Sequence, residues 1–379
     1  MKLRSKPLLI AMIFGGSLAT TVPASAQSYT AFDIGTLGGR GTYATAINAT
    51  GQVTGNSYTS DFGPHHAFVT EANGRGMTDL GTLPGGNISL GFGINASGQV
   101  TGEAEYHISE APGTHPLPRA FIADATSGMR LVTNQDFSHG RGINNAGQVA
   151  GFVSSASGTG VFITGPNGEN IRGLSNLGSY YDTATDINTA GQVVGGARIS
   201  SSSYNHAYIT GPDQGYATDL GTLGGDTSTA HGVNDSGQIV GYSEITRTFQ
   251  SPIHAFITDI NSNMTDLGTL GGQNSQAFDI NSDGQVVGWA ETSIANRRHA
   301  FLTGPDGEGM TDLNSLVTLE NGVYLASANG ISDIGQIIAN ASDGRAYLLS
   351  PIPEPETYAM FLTGLGLMGF MARRRKQIS

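Results

Sequence analysis

Asp279, Asn281 and Asp283 set side-chain oxygens on alternate residues ahead of Gly284. A calcium loop begins this way, with hard oxygen donors in series and then a glycine for the sharp turn. The continuation departs from that chemistry, because the twelfth position, which needs a bidentate glutamate, is Ala290, and Glu291 comes one place late. The same phrase recurs at Ala46 to Gly51, Gly93 to Gly98 and Gly142 to Gly147 without most of the carboxylates. A tight turn fits every copy: the Asn side chain satisfies nearby backbone N–H groups and the glycine takes a positive φ. Asp279, Asn281 and Asp283 stay as the weak metal candidates, calcium as the one cofactor to test, and the expectation is that none is needed.

Four histidines share one register, His66, His206, His254 and His299, each followed by Ala and an aromatic residue. Metal sites and general bases are local constellations, whereas these four are distributed among separate units. The expectation is a strand-start histidine that hydrogen-bonds the neighbouring unit, with His65 beside His66 as a thin basis for a surface metal pair. Cysteine is absent, which removes thiol nucleophiles and thiolate zinc sites. No Gly-x-Ser-x-Gly elbow stands between a strand and a helix. The Gly-Gly pairs precede no Gly-Lys-Ser or Gly-Lys-Thr, so they are not phosphate cradles. Carboxylate pairs for glycoside hydrolysis stay open, because sequence spacing does not show which acids meet. Asp79, Asp219 and Asp266 recur, which suits a turn role. Trp289 is the single tryptophan beside thirteen tyrosines, a narrow basis for stacking on sugars. No catalytic residue is assigned, and the expectation is a protein that is not an enzyme.

The elements that hold these residues are read from repetition. An Ile-Asn-like pair, two variable residues and Gly-Gln-Val or Gly-Gln-Ile occur seven times, with glutamines at 52, 99, 148, 192, 238, 285 and 336. A period of 44 to 51 residues is one supersecondary unit, too small to bury its own apolar face without a neighbour. Around the phrase recur His-Ala-aromatic and then Asp-Leu-Gly-Thr-Leu, at Asp79 to Leu83, Asp219 to Leu223 and Asp266 to Leu270. Apolar and β-branched runs between Gly, Asn, Asp and Pro clusters read as strands and turns. Gly-Gln-Val-Val-Gly suits an inner strand buried on both faces. No sustained 3.6-residue period appears in the middle of the chain, so helices there should be rare. Four strands per unit predict a β-propeller blade.

The chain divides one unit between its two ends. Its repeats begin with Tyr29 to Thr36, an Asp-Leu-Gly-Thr-Leu equivalent, and end with Arg345 to Leu349, the unpartnered counterpart of His-Ala-Phe. The expected fold is all-β, a closed seven-bladed propeller in which one strand from the end joins three from the start. Six or eight blades, or an irregular β-solenoid, are the competing arrangements; an open solenoid would call for polar caps instead.

Both termini read as addresses. Lys2, Arg4 and Lys6 precede the apolar run Leu8 to Leu18, and Ala24, Ser25 and Ala26 form a small-residue cleavage site. Residues 1–26 are therefore expected to be a signal peptide cut before Gln27, with an N-terminal membrane anchor as the alternative. At the other end Pro353, Glu354 and Pro355 precede the apolar run Tyr358 to Ala372 and the basic cluster Arg373, Arg374, Arg375 and Lys376. Fifteen residues of helix reach only about 22 Å against an apolar thickness near 30 Å. That run suits a C-terminal hydrophobic helix inserted transiently, its basic end cytoplasmic and its Pro-Glu-Pro end outside.

This tail resembles a PEP-CTERM sorting signal over its final residues: Pro353 to Pro355, an apolar segment and an arginine cluster. The resemblance implies recognition and cleavage by an exosortase in a Gram-negative bacterium, after signal peptidase has acted. The mature protein would then be released, or held at the outer surface or in an exopolysaccharide matrix, and membrane-anchored before processing. The middle, about residues 27–350, resembles the extracellular HAF-type repeats through His66 to Phe68, His254 to Phe256 and His299 to Phe301. The second and third copies lack the histidine and Asp-Leu-Gly-Thr-Leu, and the family carries no activity onto a residue here. Residues 351–379 complete the division as the sorting segment.

Composition fits export. Lys2, Lys6 and Lys376 are the only lysines, and all lie in the two terminal segments. Between Gln27 and Ile352 eleven arginines face 28 acids, a balance near −17. Such a surface repels nucleic acid and anionic lipid heads and attracts divalent cations or basic partners. Glycine at 56 of 379 residues is about twice the usual share, which the turns of some 28 strands account for. The reading is an exported, surface-sorted, non-catalytic structural or binding repeat protein, associated with extracellular polysaccharide. A polysaccharide hydrolase or lyase on the same scaffold and a divalent-cation-stabilised adhesion module are the alternatives.

Overall fold

The computed structural model describes residues 27–107, 115–156, 158–174, 182–198, 204–212, 216–294 and 297–353. These residues form 28 strands in seven four-stranded antiparallel sheets, a seven-bladed β-propeller. Among them the only helical turns are four 3-10 segments of three residues each. The segment expected to be a signal peptide, residues 1–26, and the apolar tail lie outside the described residues.

Each blade reads outward from the channel in chain order. In blade 1 the strands are Thr42–Ile47, Val53–Tyr58, His65–Val69 and Thr78–Asp79. The innermost strand thus ends in the Ile-Asn pair, and the later innermost strands are Ser89–Ile94, Ser138–Ile143, Thr183–Ile187, Ser228–Val233, Gly271–Ile280 and Leu325–Ile331. The Gly-Gln-Val strand lies second, between two paired neighbours, which accounts for its apolar run. His-Ala-aromatic is third, and Asp-Leu-Gly supplies the short outer edge.

Every innermost strand carries a β-bulge at the same place, as between Ala44 and Ala46 in blade 1 and between Ala277 and Asp279 in blade 6. One extra residue bends the strand and re-aims its side chain. The glycine of the second strand makes room for this kink. A Cβ on Gly288 would lie 2.0 Å from the Gln276 carbonyl oxygen and 2.8 Å from the Phe301 ring. The aromatic of His-Ala-Phe covers that glycine, so Phe68, Phe121, Phe256 and Phe301 are fully buried. Packing then continues between blades: Ala67, Val69, Leu80 and Leu83 of blade 1 meet Ile94, Val100, Ala104 and Phe121 of blade 2.

Ring closure differs in one respect from the expected division. Three strands come from the end of the chain, Leu325–Ile331, Ile337–Ala341 and Ala346–Pro351, and one from the start, Tyr29–Asp33, which is the outermost. They pair from Tyr29↔Pro351 to Asp33↔Tyr347, and the Ile34 N–H donates to the Ala346 carbonyl at 3.1 Å. The split is three and one because Thr42–Ile47 already has a complete blade of its own to pair with. The chain past Asp33 leads into it as the connector, with Ile34 buried between the two blades.

Candidate functional site

The residues that repeat are engaged in the scaffold. His66 Nδ1 lies 2.8 Å from Asp79 Oδ2, and the same pair recurs as His206–Asp219 at 3.0 Å, His254–Asp266 at 2.8 Å and His299–Asp312 at 2.7 Å. The histidine therefore meets the outer strand of its own blade, which corrects the expected bond to the neighbouring blade: strands three and four bring positions 13 or 12 residues apart side by side. The aspartate also accepts the N–H two residues on, Gly81 N at 2.7 Å, and so has the expected turn role too. What crosses to the next blade is the alanine: the Ala67 N–H donates to Ser89 Oγ, and the Ser89 hydroxyl donates to the Gly81 carbonyl. Arg119–Asp136 replaces the pair in blade 2, and Arg345 reaches Asp33 at 3.7 Å across the closing seam. In blade 3 both positions are glycine, Gly160 and Gly173, and a groove of about 550 Å³ opens there with Arg172 its one ionisable side chain.

The Ile-Asn asparagine does two jobs. Asn48 Oδ1 accepts the Thr50 and Gln52 N–H groups within the turn, whose Gly51 has φ +78°. Its Nδ2 donates to Gln52 Oε1 and to the Asn95 carbonyl of the next blade at 2.9 Å. Asn95, Asn144, Asn188, Asn234 and Asn281 continue this belt, which ends on the Ser332 carbonyl. At the seam Asn340 takes over: its side chain bonds both the N–H and the carbonyl of Ala44 at 2.9 Å.

The three metal candidates do not converge. Asn281 Oδ1 accepts the Asp283 and Gln285 N–H groups. Asp279 turns to the channel wall, where it accepts the Ile280 N–H and, across the blade boundary, the Ile331 N–H at 2.9 Å. Among the described residues no three His, Asp or Glu side chains gather as a metal group. His65 packs on the Tyr58 ring at 3.8 Å, while His66 is held by Asp79. Of the residues expected to direct processing, Ala24, Ala26, Glu354, Pro355 and Arg373 to Arg375 lie outside the described residues; Gln27 and Pro353 are exposed at the two ends of the described chain.

The chemistry that does converge comes from the residues that vary. The seven bulges present Thr45, Phe92, Arg141, Thr185, His231, Phe278 and Asn329 to a channel cavity of about 190 Å³. Asp186 and Asp279, each one residue past its bulge, complete the wall. The Arg141 guanidinium lies 4.0 Å over the Phe92 ring and 3.6 Å from Glu103, and burial lowers its pKa. His231 donates from Nδ1 to the Ala277 carbonyl at 2.8 Å and stacks on Phe278 at 5.6 Å. Burial lowers its pKa as well, so the ring is neutral and keeps Nε2 as an acceptor. Asp186 accepts the Val233 N–H of the next blade at 3.1 Å. Burial, with Asp279 adding to it, pushes Asp186 up to about 7, and burial pushes Asp279 up to about 6.

The wall therefore offers one cation, two aromatic faces, a neutral imidazole and two carboxyl groups whose pKa values burial raises toward neutrality. Arg141, Asp186 and His231 escaped the reading of the sequence, which followed repeated residues. Comparing the seven copies three residues before the asparagine position would have exposed Arg141 and His231, since there Thr, Phe, Arg, Thr, His, Phe and Asn replace one another; Asp186 stands one place later.

Residues 351–376 match the PEP-CTERM protein-sorting motif. The tail is a sorting signal. It implies export and membrane-anchored processing by an exosortase. Residues 177–347, about blades 4 to 7, match a family described as protein of unknown function (DUF3466). No curated protein matches the chain by sequence. Among solved structures, YCF48 bound to D1 peptide is 12% identical at a TM-score of 0.50, covering 85% of this chain and 97% of that one. The β-propeller domain of the Trilobed protease from Pyrococcus furiosus is 10% identical at 0.51, covering 83% and 96%. TolB from Acinetobacter baumannii is 13% identical at 0.48, covering 69% of this chain, and this chain spans 63% of it. The first two likenesses show the propeller fold.

Proposed function

We propose that this exported, tail-sorted propeller is a non-catalytic binding protein of the extracellular polysaccharide, and that it grips a sugar group in the channel. One observation carries the reading: scaffold positions repeat from blade to blade, whereas the seven bulge positions carry five different residue types, as a lining fitted to one ligand would. Phe92 and Phe278 supply faces for the C–H side of a ring, and Arg141, His231, Thr45 and Asn329 supply donors and acceptors for hydroxyls. Neutral sugars also suit a chain whose acids outnumber its arginines so heavily. The resemblance to HAF-type extracellular repeats supports the same setting.

Extracted exopolysaccharide, titrated calorimetrically against the processed protein, should bind without new reducing ends. Arg141→Ala and Phe278→Ala should each weaken binding about tenfold or more with little change in thermal midpoint. No binding by the wild type, or equal binding by both variants, refutes the channel as the site.

A second reading has its own support. Carboxyl groups that keep a proton near neutral pH are what general acid catalysis of glycoside cleavage uses, and Asp186 and Asp279 are such groups. New reducing ends that disappear in Asp186→Asn would replace binding by hydrolysis. For the cation-stabilised adhesion module the discriminating result is the midpoint of unfolding with and without calcium; an unchanged midpoint counts against it.

A further inference from the structure

Strand order in the closing blade fixes where both ends of the chain leave the molecule. The innermost strand of each blade runs toward the Asn-Gly turns, the second away from them, and the third toward them again. Ala346–Pro351 is a third strand, so the tail departs from the turn face. Its partner Tyr29–Asp33 is antiparallel to it and starts on that face as well. The two exits touch: the Ile352 N–H donates to the Ser28 carbonyl at 2.8 Å. No spacer separates the sheet from the sorting motif, because Pro353 follows Ile352 directly. Between the sheet and the apolar run beginning at Tyr358 stand residues 353–357, which fully extended span at most about 17 Å.

We propose that, while its tail is inserted, the propeller stands on the lipid surface with the Asn-Gly turn face down, and that the opposite face is the one presented outward. The proposal takes the sorting of the tail from the reading above and goes beyond it by assigning the two faces. A tether of about 17 Å, less the headgroup layer of about 5–7 Å, holds the turn face close to the bilayer. The tips on that face include two apolar side chains, Ile260 at 75% exposure and Ile334 at 62%, beside the exposed Asp235, Asp259, Asp283, Asp306 and Asp333, so the tether and not the surface holds the face there. The opposite face carries the loops between second and third strands, whose tips include Phe62 and Phe249, each 94% exposed. These aromatic tips would then meet the extracellular polymer.

The chain has no cysteine, so single-cysteine probes are clean. The full-length chain, reconstituted in phosphatidylethanolamine and phosphatidylglycerol vesicles of 7 to 3 composition (about 30% anionic lipid), would carry a fluorophore at Ile260→Cys, Ile334→Cys, Phe62→Cys or Phe249→Cys. A nitroxide on the lipid headgroup should quench the first two about threefold or more above the last two. Equal quenching at all four positions, or stronger quenching at 62 and 249, overturns the assignment. A chain ending at Ile352 should lose the difference; if it keeps the difference, the tether is not what orients the propeller. No sugar is present, so this result stands apart from the polysaccharide reading.

Discussion

Asp186 is the side chain whose ionisation should be most visible. Its folded pKa of about 7 lies above the 3.8 of the unfolded chain, so between those values the native state binds more protons than the unfolded one. The resulting contribution is favourable at low pH and is lost as pH rises through about 7. Three units correspond to about 4 kcal/mol, and partial solvent screening of the channel reduces this to about 1–2 kcal/mol. Asp186→Asn should therefore raise the thermal midpoint by a few degrees at pH 8, with the gain shrinking toward pH 5; a gain that grows on acidification refutes the burial argument. The His–Asp pairs belong to the same scale and a different class. Asp266 is about two-fifths exposed, so a double-mutant cycle of His254→Ala and Asp266→Ala should give a coupling of about 0.5–1 kcal/mol and leave polysaccharide binding unchanged.

At the scale of the blade, a single side chain serves both turn and neighbour. Asn144 accepts the Ala146 and Gln148 N–H groups and donates to the Asn188 carbonyl, while only 4% exposed. Asn144→Ala leaves those groups buried and unpaired, and should cost about 2–3 kcal/mol in chemical denaturation. Asn144→Asp keeps the acceptor but loses the donor, so it should recover part of the loss at low pH, where the acid is protonated. The element pattern was legible from sequence because each strand and turn is settled locally: Val and Ile runs, Asn-x-x-Gly turns and their spacing act within one copy. The partner of His66 was not, since it depends on the register between third and fourth strands, and that register is set by packing. Asp79 Oδ1 serves Gly81 N within its own turn while Oδ2 meets His66, and only the first role follows from local spacing.

For the whole molecule, closure rests on one short strand. Tyr29–Asp33 covers the edge of Ala346–Pro351, and Tyr29 packs among Leu325, Leu349 and Leu313 with burial pushing its hydroxyl up to about 12. Deleting residues 27–33 would leave that edge unpaired, an invitation to strand exchange. The truncated propeller should dimerise or aggregate in size-exclusion chromatography and unfold several degrees lower. A monomer of unchanged midpoint would show that the ring does not depend on its terminal clasp.

The repeat period, the strand content, the turn chemistry and the sorting tail were written in the chain itself, since each depends on neighbours in sequence or on copies that resemble one another. Tertiary structure alone decided that the clasp divides three strands to one, that His66 answers to Asp79, and that Arg141, Asp186, His231 and Asp279 share a cavity. Those four come from blades 3, 4, 5 and 6, and only radial closure, which turns every bulge toward one axis, brings residues of such separation together.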